Sequence, residues 1–315
     1  VPRIDYTGGG CPHILAEPMR TNLVTYSEDF TQWSPVGSPI ISSNYGTSPD
    51  GTLNADRIQM ETGDRLYEGS TTPNVSFSVY AKSNSGSTHT ISMRDGGGVV
   101  SYDMVITDEW QRFDVYLNTT MSNVQFRSFE DDVDILMWGA QLEVGSYATS
   151  YIPTSGSTVT RNQDIFTRDG IGSLINSEEG VLFVELNAGQ VNTYSRYLGV
   201  SDGTTNNRVI LGVGSYTSNI TCFISSGGTV VANLSFTVDI ALTHKVALSW
   251  KLNEFKLYVN GYLRSSDTIG ATPIGLNQLS YGNGVSNSQP FYGKVKQLQV
   301  YDTALTDDQL RQITQ

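Results

Sequence analysis

Catalysis needs particular side chains within reach of one another, and this chain of 315 residues offers few such groupings. Its three histidines, His13, His89 and His244, are scattered, and no Gly-x-Ser-x-Gly elbow accompanies any of them, so a nucleophilic triad is not indicated. Gly96-Gly97-Gly98 lacks the Lys and Ser/Thr that cradle a phosphate and reads as a turn. Cys11 and Cys222 lie in different halves and outside any Cys-x-x-Cys, which does not indicate zinc. Either two free, inert thiols or one disulfide fits them. Binding chemistry is better supplied. Aromatic faces stack on sugar rings while amides and carboxylates hold hydroxyls. Trp33 stands in an open Gln-Trp-Ser-Pro context, and Tyr80 and Tyr102 point away from the apolar side of their strands. Tyr194, Tyr197, Tyr216 and Tyr292 fall in or near loops, whereas Trp110, Trp138 and Trp250 read as packing residues. Exposed tyrosines also suit contacts between subunits.

Charge narrows the partners. The net charge is −12, and residues 1–160 hold 8 basic against 19 acidic side chains, which is −11 of it. Such a surface repels a phosphate backbone, so nucleic acid is not an expected partner. Two readings of the acidic half stand: a solvated surface, or Ca²⁺ sites built from clustered oxygen ligands. No apolar run approaches a membrane span and no basic-then-apolar leader opens the chain, so membrane insertion is not expected. The start, Val1-Pro2-Arg3, has no Met, as in a processed product or a piece of a longer chain.

The elements that must position these side chains are strands. Only 16% of residues are charged, and Gly, Ser, Thr and Asn are plentiful, as short strands and many turns require. Val75, Phe77 and Val79 alternate with Ser76, Ser78 and Tyr80. Val246, Leu248 and Trp250 repeat the device, as do Phe255, Leu257 and Val259. Leu182, Val184 and Leu186 alternate with Phe183 and with Glu185, which reads as an isolated, solvated carboxylate. Asn260-Gly261 is a hairpin signal, since both turn positions need positive φ. One helix is expected, at the C-terminus, with Thr306 and Gln309 as a capping box, Asp307 and Asp308 in its first turn, and Leu305 packing on Leu310. The fold class is all-β: two tandem antiparallel β-sandwiches and a short C-terminal helix. The expected boundaries are a connector over 1–20, a first sandwich over 21–153, a linker over 154–162, and a second sandwich over 163–315.

The first half has a recognisable order of motifs. Arg20–Phe30 with Trp33 opens it, and Ser48–Thr52, Phe77–Lys82 and Trp110–Phe113 follow. Trp138–Glu143, Ser150–Thr154 and Val159–Arg161 close it. The order resembles a bacteriophage-associated module of the jelly-roll, carbohydrate-binding kind, found in tail, fibre and other virion surface proteins. The second half resembles a concanavalin A-like sandwich of the laminin G or pentraxin type. Glu179–Glu185, His244–Trp250, Phe255–Gly261 and Tyr301–Thr306 carry that resemblance.

The resemblances imply a non-catalytic virion surface protein that recognises a host cell-surface polysaccharide, contacts other virion proteins and forms a homo-oligomer, with a trimer as the expected state. A structural decoration or tail component binding only virion proteins is the first rival. A polysaccharide-degrading enzyme or its accessory module is the second. A hydrolase on the second fold would need a Glu-x-Asp-x-x-Glu run, and none occurs. No cofactor is required. Jelly-roll modules of this type often carry a structural Ca²⁺, for which Glu28, Asp29, Asp50, Asp131 and Asp132, with neighbouring Glu130 and Asp134, are the candidates.

Overall fold

The computed structural model describes residues 3–6, 12–189, 194–285 and 288–315. The chain forms two compact units: Met19–Asn162, and the residues up to Pro18 together with Gln163–Gln315. Each is a sandwich of two antiparallel sheets, as its alternating strands require.

In the Met19–Asn162 unit, one sheet runs in the spatial order Ser101–Ile106, His89–Asp95, Asn123–Ser128, Arg65–Gly69, Ser34–Val36. The other runs Gln111–Leu117, Val75–Ser83, Val133–Val144, Leu53–Met60, Ile40–Thr47. Their inner faces share one core. Val75, Phe77 and Val79 from the second sheet pack with Ile91, Met93, Val124 and Phe126 from the first. Trp33 lies in that core, 2% exposed, among Phe30, Phe77 and Phe126.

The second unit has a seven-stranded sheet in the order Arg3–Asp5, His13–Ala16, Gly293–Tyr301, Glu179–Asn187, His244–Lys251, Glu254–Val259, Tyr262–Asp267. Facing it is a six-stranded sheet: Thr167–Arg168, Gln278–Ser280, Arg196–Ser201, Arg208–Val213, Asn219–Ser226, Thr229–Thr237. Leu182, Val184, Leu248 and Trp250 meet Leu198, Val200, Leu211 and Cys222 between them. Asn260 and Gly261 both take positive φ in the hairpin turn. The helix Asp307–Ile313 carries the expected capping box. Its Leu310 closes over Val181, Phe183, Ala247 and Tyr258, so it covers a sheet face.

Two expected boundaries move. Residues read as a connector hold strands: His13–Ala16 pairs with Gly293–Tyr301, and Arg3–Asp5 extends that edge. Residues read as a linker are likewise used, since Val159–Arg161 pairs with Arg20–Asn22. In both cases the pairing satisfies backbone groups that a loose strand would leave to water. Glu185 also differs from expectation, being buried and paired with Lys296 at 3.0 Å. Cys222 is a free, buried thiol, and burial pushes its pKa up, as an inert thiol requires. Cys11 and Gly8-Gly9-Gly10 lie outside the described residues.

Candidate functional site

The two outer faces of the first sandwich differ, and the difference locates the site. On the sheet containing Val75–Ser83, the outward residues Ser76 and Ser78 are buried, because the chain returns across them. Gln141 and Glu143 anchor that return. Glu143 Oε1 accepts from Thr149 N at 2.6 Å and from Gln141 Nε2 at 2.7 Å, while its Oε2 accepts from Thr149 Oγ1 at 2.7 Å. Gln141 Oε1 accepts from Ile152 N at 2.7 Å. Asn22 donates to Ala140 O and Ile152 O, and accepts from Val24 N and Leu142 N. Trp138 is packed between Tyr80 and Tyr151, with ring centroids 5.3 and 4.5 Å away. Gly139 sits at φ +68° in the bulge between Trp138 and Gln141, and a Cβ there would meet Tyr80 and Tyr151 at 3.3–3.4 Å. The Trp138–Glu143 signature is therefore a clasp. Tyr80, expected to face solvent, belongs to it, with Arg112 over its ring at 5.4 Å.

The outer face of the other sheet carries no such cover among the described residues. Its registers set out two adjacent rows. One row is Asp103, Ser92, Arg127, Arg65 and Val36. The next is Ser101, Arg94, Gln125, Tyr67 and Ser34. Local sequence explains the arrangement: each arginine alternates with a core residue on its strand, as in Met93-Arg94, Phe126-Arg127 and Arg65-Leu66. Arg65, Tyr67, Arg94 and Arg127 are half-buried. Phe129, 55% exposed, closes one end, with the Arg127 and Arg94 guanidinium carbons 4.8 and 5.9 Å from its ring centroid. Gln125 Nε2 is tied to Asp95 O and Gly96 O at 3.3 Å. The Gly96–Gly98 turn is closed by Asp95, which accepts from Gly97 N and Val100 N. Gly98, at φ +69°, lies so close to the Arg94 guanidinium that a Cβ would overlap it. That turn holds Arg94 and needs no phosphate to explain its glycines.

The residues expected to bind sugar do not converge. Trp33 is removed from the list by its burial: its indole Nε1 donates to Tyr26 O at 3.0 Å and its ring faces phenylalanines. Tyr102 is 45% exposed on the edge strand Ser101–Ile106, but it stands opposite the core residue Met93 and so lies on the core side of the sheet, contrary to expectation. In the second sandwich, Tyr197 is buried against Phe223, and Tyr292 is half-buried and donates to Gln163 Oε1 at 2.7 Å. Tyr194 and Tyr216 are over 70% exposed, and Ser215 N donating to Ser195 Oγ brings their loops together. The arginines of the open face were missed. Their signal was present as a basic residue repeatedly placed opposite a core residue in an otherwise acidic half.

The acidic candidates do not gather into one cluster. Among the described residues, no three His, Cys, Asp or Glu side chains gather where an ion could be held. Each candidate has other work. Glu28 accepts from Asn54 and Tyr151, and Asp29 caps the short 3₁₀ turn Phe30–Gln32. Asp50 accepts from Ser48 and Thr52, bonds that hold its carboxyl below the usual range. Asp131 accepts from Thr62 N, Asp132 turns the chain at φ +58°, Glu130 accepts from Thr90 N, and Asp134 is paired with Arg57.

Residues 182–311 match the concanavalin A-like lectin/glucanases superfamily. The match lies wholly within the second sandwich. No curated protein matches the chain. Among solved structures, the CBM40 of a Ruminococcus gnavus IT-sialidase, bound to α2,3 sialyllactose, is 20% identical with a TM-score of 0.39, covering 48% of this chain and 98% of that one. Domain 4 of AbnA, an extracellular arabinanase from Geobacillus stearothermophilus, in complex with arabinotriose, is 19% identical with a TM-score of 0.40, covering 54% and 84%. A CBM22 tandem from Paenibacillus barcinonensis Xyn10C is 12% identical with a TM-score of 0.29, covering 92% and 99%. No helix among the described residues is long and apolar enough to cross a membrane.

Proposed function

We propose that this is a non-catalytic glycan-binding protein, displayed on a phage virion, that recognises a host-surface polysaccharide through the open face of its first sandwich. The observation that carries the reading is that face itself. Tyr67 and Phe129 supply rings and the half-buried arginines supply donors on a rigid sheet, while Ser92 and Gln125 lie buried in the same rows. The superfamily match of the second sandwich supports glycan recognition as the chain's general business. The motif order from Arg20 to Arg161 supports the virion setting, and with it an extracellular location, virion-protein neighbours and a homo-oligomer, a trimer by resemblance. Shallow sites of this kind bind weakly one at a time, and many copies on a particle would gain avidity. No cofactor takes part.

Glycan-array and whole-cell binding by the full chain, with and without EDTA, tests this. Saturable binding that survives EDTA and falls on Tyr67→Ala or Phe129→Ala is the expected result. Binding that those variants leave intact while Tyr216→Ala abolishes it would move the site to the second sandwich. No binding to any glycan or host cell would leave a structural component of the particle.

A further inference from the structure

The arginines of the first sandwich divide into two sets. Seven lie in residues 19–162. Four are spent on protein acceptors: Arg20 on Glu143 and Met19 O, Arg57 on Asp134, Arg112 on Ser78 Oγ and Thr149 O, and Arg161 on Ser150 O. For Arg65, Arg94 and Arg127 no protein group accepts from any nitrogen, and no carboxylate pairs with them, among the described residues. All three stand on the open face.

Folding does not account for this placement. Arg65 and Arg127 are direct cross-strand partners, and like charges in that position destabilise a sheet. The Nε atoms of all three are shut off from solvent without a hydrogen-bond acceptor, as are those of Arg20, Arg112 and Arg161, but only these three also lack an acceptor at their terminal nitrogens among the described residues. Between the strands of Arg127 and Asp103 lies Ser92, 1% exposed, whose Oγ is also buried and unpartnered. Such groups cost stability until an acceptor arrives. The two rows thus hold three arginines against one carboxylate, Asp103, which pairs with none of them, within a unit that carries 17 acidic side chains against 8 basic ones.

We propose that this face takes the acidic groups of an anionic glycan, resting on the reading of the face as a glycan site. The shared chemistry is an oxyanion carried on a sugar ring: a uronate or sialate carboxylate, or a sulfate ester. Arg65 and Arg127, on neighbouring strands, bracket one oxyanion through guanidinium forks, Arg94 meets a second, and Ser92 Oγ donates from beneath. Phe129 keeps the Arg94 and Arg127 planes in place, and Tyr67 offers a ring beside Gln125. A nucleic acid is disfavoured because its phosphates run beyond this patch onto acidic surface.

Calorimetric titration of the full chain with four length-matched probes tests the proposal: alginate oligosaccharides, dextran sulfate, neutral dextran and single-stranded DNA. The expected result is binding of an acidic glycan that weakens as salt rises, with Arg65→Gln, Arg94→Gln and Arg127→Gln each losing about tenfold or more. Arg57→Gln, in the other sheet, keeps the parent affinity. The alginate and dextran sulfate arms separate carboxylate from sulfate. Because no hydrogen bond or ion pair is lost, and only an exposed contact with Phe129 at Arg94 and Arg127, the three open-face variants should melt close to the parent temperature. Neutral dextran bound as tightly as the acidic probes, or acidic binding indifferent to all three variants, overturns this inference while leaving a glycan-binding protein. DNA bound more tightly than either acidic glycan also overturns it. No glycan binding at any charge removes the underlying reading instead.

Discussion

The two outer faces of the first sandwich hold similar residue types and use them oppositely. On the clasped face, Arg112, Gln141, Glu143 and Asn22 find partners within the protein. On the open face, Arg65, Arg94, Arg127 and Ser92 have no hydrogen-bond acceptor or carboxylate among the described residues, and Arg94 and Arg127 meet only the ring of Phe129. Polar groups on the first face hold the fold together, whereas the three arginines on the second have no hydrogen-bond acceptor within the described residues, which is what the proposed glycan site rests on. A residue's chemistry is thus not enough to call it functional. What matters is whether the chain has already consumed its hydrogen bonds.

Substitutions should separate the faces, beginning with the clasp. Glu143→Ala strips acceptors from Thr149, Gln141 and Arg20 at a fully buried position, and should cost about 3 kcal/mol or more in urea denaturation. A loss under 1 kcal/mol would show that the clasp is not needed for stability. Asn22→Ala abandons two carbonyls and two amides, and should cost about 2–3 kcal/mol on the same assay. A smaller, pH-dependent effect belongs to Asp134. Its bidentate hydrogen bonds from Arg57 hold its carboxyl below the usual range. A depressed carboxyl contributes stability above its unfolded value of about 3.9 and loses it as pH falls through the lower folded value. The stability gap between parent and Arg57→Met should therefore be full at neutral pH and shrink below about pH 4. A gap independent of pH would mean that the pair acts through packing alone. On the open face, Arg127→Gln should change stability by no more than about 0.5 kcal/mol, or raise it by relieving repulsion from Arg65. A larger loss would place Arg127 among the groups that hold the fold together.

Much of the architecture was legible because it rests on local pattern. Val75, Phe77 and Val79 alternate into the core, Asn260-Gly261 turns a hairpin, and Thr306 with Gln309 caps the helix. The site was less legible because exposure depends on what distant chain covers. Ser78 and Tyr80 point away from the core as their period demands, yet residues 34 and 58 positions further along the chain, Arg112 and Trp138, lie over them. Trp33 sits among turn residues but is drawn inward by Phe30, Phe77 and Phe126. The open-face arginines come from three strands separated in sequence, and only strand order makes them neighbours. Residues 13–16 also pair with a strand near the opposite end of the chain, and residues 3–5 pair with 13–16 in turn, which no local signal announces.

The most direct test of the account is to follow the arginine Nε–Hε resonances of the full chain by NMR while an alginate trisaccharide is added. The account predicts saturable shifts at Arg65, Arg94 and Arg127, with Arg20, Arg57 and Arg112 unmoved. Shifts confined to the second sandwich, or spread evenly over all arginines, would contradict it.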